Sequence, residues 1–182
     1  MTCAGERRPV PASNLVIRPA RYAELDLLQG IERDAGGRFR DVGMSAIARD
    51  EPLSIRELEG FVALGRAWVA VDEERPIAYL LSGVVDGLAH IEQVSVALSH
   101  ARRGVGASLI DHLARVAHGE QRSALSLTTF RDVPWNAPYY ERLGFVILAP
   151  GAWGPEMAEL VAREEGSVPG CDPRVAMIRP LS

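Results

Sequence analysis

The spacing of apolar residues changes along this chain, and each change marks an element. Leu15-Val16-Ile17-Arg18 is a short β-branched run closed by Pro19 and predicts a strand. From Tyr22 to Ala35, Leu25, Leu28 and Ile31 recur at helical spacing, and Gly36-Gly37 is expected to end that helix. Phe39 to Leu53 is polar and aperiodic and reads as an irregular connection. Ser54 followed three residues later by Glu57 forms a capping box, opening a helix through Ala63 that stops at Gly65.

The middle of the chain reads as a meander. Ala67–Val71 and Pro76–Val85 are strands joined by the turn Asp72-Glu73-Glu74-Arg75, and Asp86-Gly87 turns the chain into a third strand, Ala89–Leu98. A glycine-bearing loop follows, then a helix over Val105–His118 with Leu109, Ile110, Leu113, Val116 and Ala117 on one stripe. Ala124–Phe130 is a strand, Pro138–Leu143 a short helix, and Phe145–Leu148 another strand. Met157, Leu160 and Val161 mark an amphipathic helix, and Arg174–Arg179 a last strand. This order predicts an α/β (α+β) mixed sheet around one core: a flexible leader over residues 1–13, then a single domain over 14–182.

Composition narrows the function. At 182 residues, 47% hydrophobic and 24% charged, the chain suits one soluble domain. Its net charge of −4 offers no basic face, so no nucleic-acid partner is expected. All 20 basic residues are arginine, which excludes lysine Schiff-base chemistry. Cys3 and Cys171 make neither a metal spacing nor a disulfide framework and fit a reducing compartment. No run is long and apolar enough for a membrane span or a signal h-region, so a cytoplasmic location is expected.

The most informative segment is Ile91-Glu92-Gln93-Val94-Ser95-Val96, followed by Arg102-Arg103-Gly104-Val105-Gly106-Ala107 and a helix. Glycines allow a sharp turn and a close backbone approach, and a helix N-terminus presents unpaired N–H groups to a phosphate. Two nucleotide motifs fail here. A dinucleotide fingerprint needs a third glycine where Leu109 stands, and a Walker loop needs a lysine. Alone, the loop is equally an ordinary strand–helix turn.

Further on stands Tyr140-Glu141-Arg142-Leu143-Gly144-Phe145. With the loop at this distance ahead of it, the chain resembles the GNAT (GCN5-related) N-acetyltransferase superfamily across nearly its whole length. The resemblance implies a mostly antiparallel six- to seven-stranded sheet flanked by helices and acetyl-CoA as co-substrate, with no metal. The cofactor set it implies is Val94, Ser95 and Val96 at the strand end, Arg102, Arg103, Gly104, Val105, Gly106 and Ala107 in the loop, and Asn136. Ala101 stands where the family carries Gln or Arg, leaving the charge to Arg102 and Arg103.

The reaction implied is direct attack of a primary amine, on a small molecule or a protein N-terminus, on the thioester. Tyr140 holds the family tyrosine position and would protonate the departing thiolate. Backbone N–H groups around Val94–Val96 would hold the oxyanion. Glu92 is the candidate general base, with His90 the runner-up and Asp132 weaker. Ideal alternation puts His90, Glu92, Val94 and Val96 on one strand face and Gln93 and Ser95 on the other. Asn136 is read equally as a helix cap and as a pantetheine hydrogen-bond partner, Tyr139 as packing, and Trp135 as a core or lid residue. His100, His112 and His118 are expected to face solvent. Acceptor choice falls to Ala35–Leu53 and the helix around Glu156–Glu165. A homodimer is compatible with the sequence. Two other functions stay open: a non-catalytic acyl-CoA-binding sensor of the same fold, and a nucleotide-binding module.

Overall fold

A computed structural model describes residues 15–167 and 173–181. The expected leader and both cysteines lie outside the described residues. The elements are β1 (Val16–Pro19), α1 (Leu25–Gly36), α2 (Ile55–Ala63), β2 (Ala67–Asp72), β3 (Arg75–Val85) and β4 (Leu88–Val96), then α3 (Val105–Gly119), β5 (Ala124–Phe130), α4 (Ala137–Arg142), β6 (Val146–Ile147), α5 (Pro155–Ser167) and β7 (Arg174–Pro180). The sheet has seven strands in the order β1-β2-β3-β4-β5-β7-β6. Every pairing is antiparallel except β4 with β5. Among the described residues no helix is long and apolar enough to cross a membrane.

Local chemistry explains the boundaries. Ser54 Oγ accepts from Glu57 N while Glu57 Oε2 accepts from Ser54 N, so the capping box that opens α2 is complete. The β3–β4 turn places Asp86 and Gly87 at φ 49° and 75°, the left-handed pair a tight hairpin requires. The α1 helix ends at Gly36 with Gly37 as its C-cap, as expected, but the chain does not leave helical backbone there. Both keep right-handed helical backbone, and 3-10 turns continue through Val42 until Gly43 breaks the run at φ 78°. The segment expected to be polar and irregular is instead anchored: Phe39, Met44 and Ile47 pack with Phe130, Val133 and Trp135.

The sheet is clothed on both faces. On one, α3 and Phe145 pack over Trp68, Leu80, Ile91 and Leu127. On the other, α1 and α2 cover Val69, Val71, Tyr79 and Leu81, while Met157, Leu160 and Val161 of α5 cover Val85 and Ala176. The parallel β4–β5 ladder lasts only from Ala89 to Ile91 against Leu125 to Leu127. Beyond it β4 stays with β3 and β5 with β7, and the two central strands part. That gap makes the site.

Candidate active site

A cleft of about 1140 Å³ runs through the gap between the parted strands. That is slightly above the roughly 300–1,000 Å³ usual for a small-molecule site. The β3–β4 register skips at one point: Leu81 pairs with Gln93 and Ser82 with Ile91, leaving Glu92 as the extra residue of a β-bulge. The bulge overturns the alternation expected from sequence. Ile91, Val94 and Val96 pack on the α3 face, whereas His90 bonds Ser126 and Ser95 bonds Gln93 on the other. Ala97 N donates to Ile77 O, so by antiparallel alternation the amides of Ser95 and Gln93 also point to β3. Those of Val94 and Val96 face the open gap.

On the α3 face, Arg102 at φ 60° and Gly104 at φ 80° turn the chain into the helix. The first return bond is Ser108 N to Gly104 O, so the N–H groups of Val105, Gly106 and Ala107 have no intrahelical acceptor. All three line the cleft, with Arg102. Arg103 does not. A Cβ on Gly106 would sit 3.1 Å from Tyr139 Oη and 3.6 Å from Val96 Cγ2, so a larger residue would require the Tyr139 hydroxyl to give way by a few tenths of an ångström.

On the opposite face the cleft is ringed by carboxylates. Glu92 is exposed to the cleft, and its carboxyl lies in the space a side chain on Gly83 would fill. Burial raises its pKa most, the Glu164 charge raises it further, and Arg163 opposes both. Glu164 accepts from Thr128 Oγ1 at 2.6 Å and pairs with Arg174 at 3.2 Å. Glu32 accepts from the Tyr79 hydroxyl at 2.5 Å and from Gln93 Nε2 at 3.3 Å, and burial raises its pKa too.

Tyr140 and Tyr139 both line the cleft, their rings 5.4 Å apart in an edge contact, and burial raises both phenols. Tyr139, expected to be packing, brings its hydroxyl against the first turn of α3. Asn136 precedes α4 but its side chain makes no capping bond, so the cap reading falls; it lines the cleft instead. His90, the alternative base, is buried against Ser126 with its pKa lowered to about 4 by burial and does not line the cleft. Asp132 is exposed and outside it. Two histidines expected in solvent are partly covered. His112 packs edge-on to Trp68 at 5.8 Å, and His100 lies 3.6 Å from Asp72 and lines the cleft.

Sequence reasoning missed Glu32, Gln93, Tyr79, Arg174 and Gly83, whereas Glu164 lies in the helix expected to bear on acceptor choice. Two carried a signal. Glu32 stands four residues after Leu28 on the apolar stripe of α1, and Gly83 interrupts an otherwise apolar strand.

The sequence model of the acetyltransferase (GNAT) family matches residues 39–145. Among solved structures, Rv2747 from Mycobacterium tuberculosis, in complex with CoA and NLQ, is similar at 17% identity and TM-score 0.69, over 92% of this chain and 99% of that one. The ribosomal-protein-S18-alanine N-acetyltransferase of Escherichia coli is 18% identical with TM-score 0.64, over 92% and 94%. The PaiA N-acetyltransferase of Thermoplasma acidophilum, in complex with coenzyme A, is 12% identical with TM-score 0.67, over 92% and 99%. At these identities the likeness establishes the fold.

Proposed function

The chain belongs to the acetyltransferase (GNAT) family, and from that premise we propose that it transfers an acetyl group from acetyl-CoA to a primary amine of a small molecule or protein N-terminus. The observation that carries this reading is the cleft between β4 and β5, which joins unpaired amides at the α3 N-terminus on one face to the Glu92 carboxyl on the other. The donor end fits CoA: three free N–H groups, the positive end of α3 and Arg102 suit a pyrophosphate. The free β4 edge at Val94 and Val96 suits the amides of a pantetheine arm. Two solved relatives in complex with CoA support the same assignment. Acetyl-CoA supplies the activated thioester; the chain supplies geometry and protons.

An alkylamine is protonated at neutral pH, and freeing its lone pair costs ~4.6 kcal/mol at pH 7. Glu92, with its raised pKa, is matched to take that proton, directly or through one water. As the C–N bond forms, negative charge grows on the thioester oxygen, and the Val94 and Val96 amides, which face the gap, are the donors this reading assigns to it. As the C–S bond breaks, Tyr140, kept neutral by burial, gives its proton to sulfur.

Thiol release from acetyl-CoA across an amine panel tests this. Glu92→Gln and Tyr140→Phe are each expected to lower kcat by ~10²–10⁴-fold while thermal stabilisation by CoA persists. Full rate in both variants would refute the residue roles. Binding of acetyl-CoA without turnover of any amine would favour a sensor, and stabilisation by NAD or ATP instead would favour a nucleotide module.

A further inference from the structure

The charges on the Glu92 side of the cleft divide into satisfied and unsatisfied groups. Glu164 is taken up by Arg174 and Thr128, Glu32 by Tyr79 and Gln93, and Arg33 faces Glu51 at 3.9 Å. Among the described residues, Glu92 makes no hydrogen bond or ion pair, and neither do the side chains of Arg38, Arg40 and Arg49, which line the same cleft from the two 3-10 turns. Asp50 and Glu51, just after those turns, also line the cleft, but Glu51 faces Arg33, so three arginines stand against one carboxylate and this rim carries excess positive charge.

Arg38 is the organised member. Its guanidinium lies 4.4 Å over the Trp135 ring. Trp135 is wedged edge-on to Phe39 at 5.9 Å, and Phe39 to Phe130 at 5.8 Å. A guanidinium centred over an indole at this distance makes its contact through carbon and π-electrons, which leaves its N–H groups free to receive a carboxylate through two parallel bonds. Phe130, in the same cluster as Trp135 and Phe39, alternates with Leu127 of the α3 face and shares the side of Thr128, which bonds Glu164 of α5, so this group belongs to the face opposite the α3 N-terminus and not to the pyrophosphate cradle.

We infer that the acceptor is an amine that also bears a carboxylate, a free amino acid or the acidic first residue of a peptide, with Arg38 receiving the carboxylate while the amine meets Glu92. This rests on the acetyl-transfer reading and narrows it. One unpaired anion at the chemical centre and one preorganised cation at the mouth are the complement of an amine with an acid group.

Rates of thiol release from acetyl-CoA are compared for leucine, leucinamide and 3-methylbutylamine, and for Asp-Ala-amide against Asn-Ala-amide. Each comparison removes one carboxylate, and the two sets separate a free amino acid from an acidic peptide end. The acid partner of the true acceptor class is expected to lead by about 10- to 100-fold in kcat/KM. The less basic amine of leucinamide biases the first comparison against the proposal. Arg38→Gln is expected to bring the acid-to-amide ratio toward one through KM. Arg38→Lys, which keeps the charge without the planar fork, should fall between. The ratio is read within one preparation, so loss of folded protein does not change it. Calorimetric titration of the CoA-loaded protein with N-acetylleucine and its amide, and with the two N-acetylated dipeptide amides, reads the same preference without turnover. Amides and plain amines that match the acids, or an unchanged ratio in Arg38→Gln, would overturn the proposal. Carboxylate-dependent titration with no turnover of any acceptor would instead sink acetyl transfer and uphold the anion subsite.

Discussion

Gly83→Ala separates the chemistry of the cleft from the stability of the fold. Gly83 lies in β3 opposite His90, and the Glu92 carboxyl rests over it. An alanine methyl there would fall on Glu92 Oε1 and stand 3.3 Å from Cδ. The obstacle is the free end of a side chain, so the strand holds its place and the carboxylate gives way, by about 1 Å on contact distances. A displacement of ~1 Å in a reacting group costs about 10²-fold in rate. The strand itself gains, because alanine loses less backbone entropy than glycine in a strand interior, worth ~0.5–1 kcal/mol. For a domain of this size that is a rise of roughly 1–4 °C in Tm. Thiol-release kinetics, thermal unfolding and CoA titration on the full chain read the three quantities together. The expected pattern is a kcat lower by about 10²-fold, a Tm equal or higher, and unchanged CoA affinity, since Gly83 touches no part of the α3 loop. Wild-type kcat in Gly83→Ala would refute the argument, because the group doing the work would then not be a carboxylate seated over residue 83.

Other expectations follow from the same contacts. Glu92 must be deprotonated to act, so activity should fall as pH drops through its raised pKa; Glu164→Gln removes the like charge and should move that limb to lower pH, and a limb that stays or rises would contradict the coupling. His90 titrates near 4 folded against 6.5 unfolded, so the unfolded chain binds the extra proton between those values. Stability measured by urea unfolding should therefore be full above pH 6.5 and decline by about 3 kcal/mol toward pH 4, a slope that His90→Asn should flatten. Asp86, 70 residues from its target, accepts from Glu156 N at 3.0 Å and Met157 N at 3.1 Å and so caps α5. Asp86→Ala should cost ~1 kcal/mol and about 2–4 °C in Tm, with Asp86→Asn between, and an unchanged Tm would show that α5 holds without its cap.

Periodicity sufficed for the elements because burial on each is one-sided or complete: Leu109, Ile110 and Leu113 mark α3 whatever lies around it. It failed at Phe39–Ile47, whose apolar residues are spaced for 3-10 turns and find their partners, Phe130, Val133 and Trp135, some ninety residues away. No local rule contains that distance. The donor half of the cleft was legible for the opposite reason. A helix N-terminus with glycines is a local object, complete in the eight residues from Ala101 to Ser108. The acceptor half is assembled from α1, β3, β4, β5 and α5, and only the fold brings Glu32, Glu92 and Glu164 around one space.

Glu92 shows how that difference works at a single residue. Counting by twos places it with Val94 and Val96, on the side where α3 would bury it. The bulge adds one residue to β4 and reverses the count, sending Val94 and Val96 to the α3 side with their amides in the gap, and the carboxylate to the other. A bulge leaves no mark on the period of its own strand. Its trace is on the neighbour: Gly83, near the end of β3, has no side chain and gives the displaced carboxylate a floor. The interruption of β3 and the position of the carboxylate are one feature, so enlarging residue 83 should disable Glu92 before it disturbs any other part of the domain.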